Sequence, residues 1–202
     1  MYLIDSQYTI PDIDYMQDRI VECVNRGIAI NDVSRLYKTF IESQQATIKN
    51  LKSLYGISNP NSSAQVIEFF QSIADENIID ACVVDGKWTS NKDAMNILVE
   101  KGYNEAVDIL MYRRIKKYAE SVKSIIDAMN KDGRIRPTVS LGKTNRINYK
   151  EPALMNIPKP LLWHIIAPRN AGNILFSVDI KQQEPWILCN MLGIEELKEI
   201  FR

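Results

Sequence analysis

The feature that most constrains the fold is a long helical repeat of apolar residues at positions 104–130. Nine apolar side chains recur there at intervals of three and four residues, which is the spacing of one helix face. A similar stripe occupies residues 31–55 and is followed by Gly56. A long helix gains most of its stability by burying its apolar face against a partner. We therefore predict a long antiparallel hairpin of these two helices, with the helices of residues 60–102 at its tip.

Shorter patterns flank this hairpin. Residues 11–26 carry an apolar stripe that Gly27 ends, which predicts an N-terminal helix. After Gly133 the sequence alternates up to Leu141 and predicts a strand or a strand pair, and the apolar run of residues 174–180 predicts a further strand. Short helices are expected at residues 183–191 and 195–202. The predicted fold class is α+β and mainly α, with a helical lead-in at residues 1–30, the helical hairpin at 31–130 and a small antiparallel sheet at 131–202.

The charges of the chain are balanced in number but not in distribution. The 202 residues include 25 acidic and 25 basic side chains. Residues 131–150, however, contain six basic residues and the single acid Asp132. Phosphate binding depends on local cation density, because the release of counterions supplies the free energy. The basic stretch therefore indicates a nucleic-acid contact, although a solvated surface loop has the same composition.

Composition disfavours several other classes of protein. Cys23, Cys82 and Cys189 are far apart, and they predict reduced thiols in the core of an intracellular protein, not a disulfide framework or a zinc site. No apolar run approaches the roughly 20 residues that span a bilayer, and the N-terminus lacks the basic segment of a secretory signal. The single histidine, His164, has no nucleophile motif to accompany it, which argues against a hydrolase.

Three motifs in the last third of the chain carry the chemistry. They are Gly133-Arg134-Ile135, the stretch from Arg146 to Asn156-Ile157-Pro158, and the apolar run that ends in Asp179 before Gln182 and Glu184. A carboxylate at the tip of a strand suits a metal ion. It equally suits the N-cap of a helix that begins just beyond the strand, so Asp179 taken alone is ambiguous.

In this order the motifs resemble those of the family A DNA polymerases, the group that contains bacterial DNA polymerase I and several phage replicases. The family pattern is a glycine-arginine-isoleucine segment, then an arginine followed by a proline-x-leucine-x-asparagine-isoleucine-proline run, then a strand ending in aspartate-x-x-glutamine-x-glutamate. The resemblance extends from about Ile28 onward, and it implies a helical thumb followed by the first part of a palm. Six residues depart from the usual pattern. Tyrosine, serine, an aliphatic residue and arginine are replaced by Ile180, Lys181, Pro185 and Trp186, a common glutamine is replaced by Met155, and the glycine before the arginine is replaced by Asn145.

The resemblance also implies roles for individual residues. Asp179 and the backbone carbonyl of Ile180 would bind two Mg²⁺ ions for nucleotidyl transfer, and Glu184 would exclude the 2′-hydroxyl of ribonucleotides. Arg146 would contact the minor groove at the primer terminus, where the acceptors recur in every correct base pair. The other implied DNA contacts are Asn156, Gln182, Arg134, Arg136, Lys143 and, on the long helix, Arg113 and Lys117. A solvated surface position is the alternative for each of them.

The implied function is part of a template-directed DNA polymerase for replication or repair, acting in the cytoplasm of a bacterial or phage-infected cell. Its partners would be primer-template DNA, a dNTP, and the remaining palm and fingers from the same or a separate polypeptide. On this interpretation the chain stops before the fingers, and we expect no nucleotide incorporation by it alone. The alternatives are a non-catalytic DNA-binding module or remnant, and a helical interaction protein whose motifs match by accident.

Overall fold

The structure is a computed structural model that describes residues 13–75, 77–78, 82–143, 146–170, 172–175 and 182–194. The chain divides into two compact units, Met1–Ala167 and Pro168–Arg202. The boundaries predicted near residues 30 and 130 stay predictions. None of the described helices is both long enough and apolar enough to cross a membrane.

Helices dominate the first unit, and local sequence signals set several of their ends. Asn91 caps one helix by accepting a hydrogen bond from the Ala94 amide at 2.9 Å, and Gly56 ends another in the left-handed conformation that glycine adopts readily. The helices are α1 (Ile13–Asn25), α2 (Ser34–Tyr55), α3 (Ser63–Ile73), α4 (Lys92–Glu100), α5 (Asn104–Ala128) and α6 (Lys159–Ile165).

The long helices α2 and α5 pack together more extensively than any other pair of described elements. Leu51, near the end of α2, shares a core cluster with Ile109, near the start of α5. At the other end of the pair, Val33 shares a second cluster with Ile125. The two helices are therefore antiparallel, and the predicted hairpin and fold class are confirmed.

The two clusters divide the hairpin into a tip and a base. The tip cluster adds α3 and α4 to the hairpin through fully buried side chains such as Phe70 and Met95. The base cluster adds Ile135 and Ile165, which follow the hairpin in sequence. Because the base core contains residues from beyond α5, the segment that carries the predicted DNA contacts is anchored directly to the hairpin.

Among the described residues of the first unit there are also three two-stranded antiparallel sheets. They pair β1 (Ile28–Ala29) with β4 (Arg134–Ile135), β2 (Val83–Val84) with β3 (Lys87–Trp88), and β5 (Thr138–Leu141) with β6 (Ile147–Lys150). The alternating stretch after Gly133 thus supplies two strands with different partners. Pro137 stands between them, where it lacks an N–H for a sheet ladder.

The helix predicted over residues 31–55 begins a few residues later than residue 31. Asn31 lies before it, and its side-chain amide donates to the carbonyl oxygens of His164 and Ile166 at 3.0 and 3.3 Å. Asp32 instead accepts from the Ser34 amide at 3.0 Å, and this backbone hydrogen bond lowers the pKa of the Asp32 carboxyl. The helix consequently begins at Ser34.

The second unit contains α7 (Gln183–Leu192), which confirms the helix predicted there. Gln182 precedes it with a φ of 54°, and Gly193 ends it in the left-handed conformation. Ile174 and Leu175 are exposed and have no strand conformation, and the rest of the strand predicted at 174–180 lies outside the described residues. The helix predicted at 195–202 lies outside them as well.

The cysteine prediction is only partly correct. Cys82 and Cys189 are buried, and burial raises the pKa of the Cys82 thiol. Cys23 is exposed near the end of α1 instead of lying in the core. The core of the first unit is filled mainly by the faces of α2, α3, α4 and α5, which leaves this side of α1 at the surface.

Candidate nucleic-acid interface

The β5–β6 hairpin presents Arg146 on a polar face. Directly opposed residues of an antiparallel pair lie on the same side of the sheet, and side chains alternate along each strand. Asn148 is opposite Ser140, and Lys150 is opposite Thr138. Arg146, Asn148 and Lys150 are all exposed, and we refer to these three residues as the hairpin polar face.

The other side of the hairpin is apolar and faces α1. There Val139 is opposite Tyr149, and Leu141 is opposite Ile147. Burial raises the pKa of the Tyr149 hydroxyl, in keeping with its inward position. Residues of both elements enclose a cavity of about 210 Å³ lined by Asp18, Val21, Val139, Ser140, Leu141 and Ile147. Since α1 lies against part of this side, where Leu141 stays 52% exposed, the hairpin polar face is directed away from α1.

Gly142 provides space at the end of the hairpin polar face. A Cβ atom at this position would lie 2.9 Å from Nδ2 of Asn148 and 3.4 Å from the carbonyl oxygen of Arg146. The amide of Gly142 donates to that same carbonyl at 2.8 Å, which closes the hairpin. Lys143 is exposed at the turn, as a phosphate contact requires.

Arg134 and Arg136 bind protein groups instead of projecting freely. Nη1 of Arg134 donates to the carbonyl oxygen of Arg26 at 3.1 Å, and Nε of Arg136 donates to that of Asn25 at 3.2 Å. The last carbonyls of a helix lack intrahelical donors, so the two guanidinium groups cap α1. Arg136 also pairs with Asp132 at 2.6 Å. These contacts give the two arginines a structural role that their sequence position did not indicate, and their predicted DNA contacts stay predictions.

Arg113 likewise has an internal role. Its guanidinium donates to the carbonyl oxygen of Pro60 at 2.9 Å, to Oγ of Ser90 at 3.1 Å and to the carbonyl oxygen of Ser90. The group is half-buried, and burial lowers its pKa. All three nitrogen atoms thus hold the tip together, and the phosphate contact predicted for Arg113 stays a prediction. Lys117, one turn further along α5, is exposed and keeps its predicted role.

Asn156 lies at the end of a single 3₁₀ turn, Leu154–Asn156, and is exposed. The next residue, Ile157, is buried in the base cluster, so the turn is fixed against the hairpin. Nearby, the end of α5 and the residues after β6 border an open groove of about 520 Å³. The groove is lined by Ser124, Asp127, Ala128, Asn130, Arg136, Glu151 and Pro152.

In the second unit, Gln182 and Glu184 are exposed at the start of α7. A carboxylate in the first helical turn is favoured by the helix dipole, so this position of Glu184 does not by itself require a substrate. Asp179 and Ile180, the predicted metal ligands, lie outside the described residues. Over the ranges that the structure describes, no three His, Cys, Asp or Glu side chains are grouped as a metal site would require.

Asn148 and Lys150 are not among the contacts predicted from the sequence, although a signal for them is present. Residues 146–150 alternate between polar and apolar side chains, which is typical of a half-buried strand. The alternation puts Asn148 and Lys150 on one side of β6, in agreement with the register of β5 and β6.

Comparisons with known proteins agree with the motif order. The family model described as DNA polymerase family A matches residues 30–202. No curated protein sequence matches the chain. Among solved structures, the POL domain of Pol1 from M. smegmatis, in a complex with DNA primer-template and dNTP, matches 72% of this chain with a TM-score of 0.57 and 20% identity. The chain spans 26% of the length of that protein, and the likeness shows a shared fold.

Proposed function

This chain belongs to DNA polymerase family A, and we propose that it is the part of a template-directed DNA polymerase that grips primer-template and supplies one carboxylate of the metal site. The helical hairpin and the segment after it correspond in this proposal to a thumb and the first part of a palm. The remaining palm and the fingers, with the bound dNTP, complete the enzyme. Its place of action is the cytoplasm of a bacterial or phage-infected cell.

The position of Arg146 carries this proposal. Its side chain is exposed at one end of a polar face, in the motif order of the family. A guanidinium offers several donors in a planar group. Minor-groove acceptors recur in all correct base pairs, so an arginine at this site tests base-pair geometry without reading the sequence. Lys143, Lys117 and Asn156, which are exposed, add donors for the DNA backbone.

The chemistry of the second unit is proposed from its residues in the same way. Asp179 and the carbonyl oxygen of Ile180 are oxygen donors of the kind that Mg²⁺ prefers. A pair of such ions, when bound, stabilises the attacking and leaving oxygens of nucleotidyl transfer. Glu184, fixed in the first turn of α7, limits the space for a 2′-hydroxyl. Gln182 supports the primer strand beside it.

The proposal is tested first by DNA binding of the 202-residue chain. We expect the affinity for a fluorescent primer-template to fall steeply as the salt concentration rises, because phosphate contacts release counterions. Arg146→Ala should weaken binding, and thermal unfolding of the variant establishes that it still folds. Salt-independent or absent binding by the unmodified chain would contradict the proposal.

Catalysis is tested by primer extension after a polypeptide carrying the remaining palm and fingers is added. Asp179→Asn should abolish extension and preserve DNA affinity. Asp85→Asn is the matched control, because Asp85 is an exposed acid in the β2–β3 turn and its loss should leave extension intact. DNA binding without extension by the unmodified pair would support a non-catalytic DNA-binding module instead. Extension by the Asp179→Asn variant would remove Asp179 from the mechanism.

A further inference from the structure

The hairpin polar face continues beyond Arg146 by two further donors at regular spacing. Alternate residues of an antiparallel strand are about 6.8 Å apart, and Asn148 and Lys150 occupy the next two positions on the same side of β6. This separation is similar to that of neighbouring phosphates along one strand of nucleic acid. The face therefore has the repeat of a phosphodiester backbone.

The chemistry of this face suits an anion. Residues 138–150 contain no Asp or Glu. Arg146 and Lys150 are cationic, and the side-chain amide of Asn148 lies between them in sequence. From β5, the exposed Thr138 stands opposite Lys150 and adds a hydroxyl donor. A polymer with one negative charge per repeat complements such a row better than a protein surface of mixed charge.

Among the described residues, no carboxylate pairs with the ammonium group of Lys150, in contrast to several other lysines of the first unit. Lys116 pairs with Glu120 at 3.7 Å, and Lys123 pairs with Asp127 at 2.8 Å. For Lys150, the described part of the chain provides no ion-pair partner. An exposed, unneutralised ammonium is available to displace a counterion from a phosphate.

We propose that Asn148 and Lys150 bind two consecutive phosphates of the DNA strand whose end Arg146 contacts. The inference rests on the proposed function and assigns β6 as the element that keeps this strand in register. Arg146 contacts the base pair from the minor groove, and Asn148 and Lys150 position the DNA backbone beside it. Gly142 lies beside this arrangement, and a Cβ there would have to displace the amide of Asn148 from its present position.

The test compares Lys150→Gln with Lys87→Gln in the 202-residue chain. Lys87 is also an exposed lysine on a strand of a β-hairpin, but that strand is β3 and not β6. Affinity for a labelled primer-template is measured over a range of KCl concentrations. Lys150→Gln should reduce the slope of log K against log salt by about 1, the value for one lost phosphate contact. Lys87→Gln should leave the slope unchanged.

Two neutral variants test the Asn148 contact. Asn148→Ala and Gly142→Ala should each weaken binding and keep the salt slope of the unmodified chain, because neither changes the charge. Thermal unfolding of each variant establishes that the hairpin still folds. An unchanged slope for Lys150→Gln, or equal losses for Lys150→Gln and Lys87→Gln, would overturn the inference and leave the proposed function standing. Absence of DNA binding by the unmodified chain would contradict both.

Discussion

Nε of Arg136 donates a hydrogen bond at 3.2 Å to the carbonyl oxygen of Asn25, a residue 111 positions earlier in the chain. Arg134 makes the corresponding bond to Arg26. Because β1 pairs with β4 directly beside these contacts, the end of α1 is fixed at the point where the β5–β6 hairpin begins. This contact places α1 on the apolar side of the hairpin and leaves the hairpin polar face open.

Gly27 should tolerate substitution less well than Gly56. Both glycines have positive φ, 86° and 70°, so alanine costs about 1–2 kcal/mol at either position. A Cβ on Gly27 would also lie 3.0 Å from Cβ of Arg134, whereas the space around Gly56 is open. Gly27→Ala should therefore lower the free energy of unfolding, measured by urea denaturation, more than Gly56→Ala does. Equal losses would show that Arg134 does not pack against Gly27.

The pairing of Asp132 with Arg136 should make stability depend on acid pH. The hydrogen bond from Arg136 holds the pKa of the Asp132 carboxyl below its ordinary value of 3.8. A carboxyl whose pKa is lowered by folding stabilises the protein above its unfolded-state pKa, and this stabilisation is lost as pH falls through the folded-state pKa. Asp132→Asn should therefore unfold at a lower temperature than the unmodified chain at neutral pH. The difference should disappear once pH falls well below 3.8.

A pH titration of the unfolding temperature checks this prediction. The control is Asp85→Asn. The Asp85 carboxylate is exposed in a turn and has no ion-pair partner in the described part of the chain. A temperature difference for Asp132→Asn that stays constant from neutral pH to strongly acidic pH would mean that the carboxylate charge does not contribute.

Arg113→Met should destabilise the tip of the hairpin without changing the salt dependence of DNA binding. The substitution removes the donor for the carbonyl oxygens of Pro60 and Ser90, which costs about 1–3 kcal/mol when such groups lose their partner. Arg114→Met, at an exposed position on the same helix, should change stability by no more than about 0.5 kcal/mol. A reduced salt slope for Arg113→Met would instead support the phosphate contact predicted from the sequence.

The two core clusters should each be essential to folding. Ile109 in the tip cluster and Ile125 in the base cluster are fully buried, and replacing either with alanine should cost about 2–5 kcal/mol. Met111 is 54% exposed on the same helix, and Met111→Ala should have little effect. Chemical denaturation followed by circular dichroism measures all three. A small loss for Ile125→Ala would mean that the base does not form a packed core.

The helical hairpin could be predicted closely from the sequence, because both of its long helices carry an apolar stripe. Residues 104–130 were predicted as one helix, and α5 spans Asn104–Ala128. The pairing with α2 follows from apolar stripes that neither helix can bury alone. The start of α2 was predicted less closely. The side chain of Asn31 binds the carbonyl oxygens of His164 and Ile166, and these residues are more than 130 positions away in the chain.

The roles of the arginines could not be predicted from the motifs alone. Arg113, Arg134 and Arg146 all stand in basic segments that resemble those of one family. Only Arg146 among them belongs to the exposed polar face, while Arg113 and Arg134 donate to backbone carbonyls of distant segments. A guanidinium binds a carbonyl oxygen as readily as a phosphate oxygen, so the residue type does not distinguish the two uses.

The sequence by itself determined the family, the long helices and their apolar faces, because motif order and helical periodicity are local properties that each segment carries. Only the tertiary structure decided which cations bind other parts of the protein, since that depends on contacts between residues far apart in the chain. Arg136 caps α1 and pairs with Asp132, whereas Lys150 has no ion-pair partner among the described residues, although both are exposed and lie in the same basic stretch. The difference is that the end of α1 folds against one of them and not against the other.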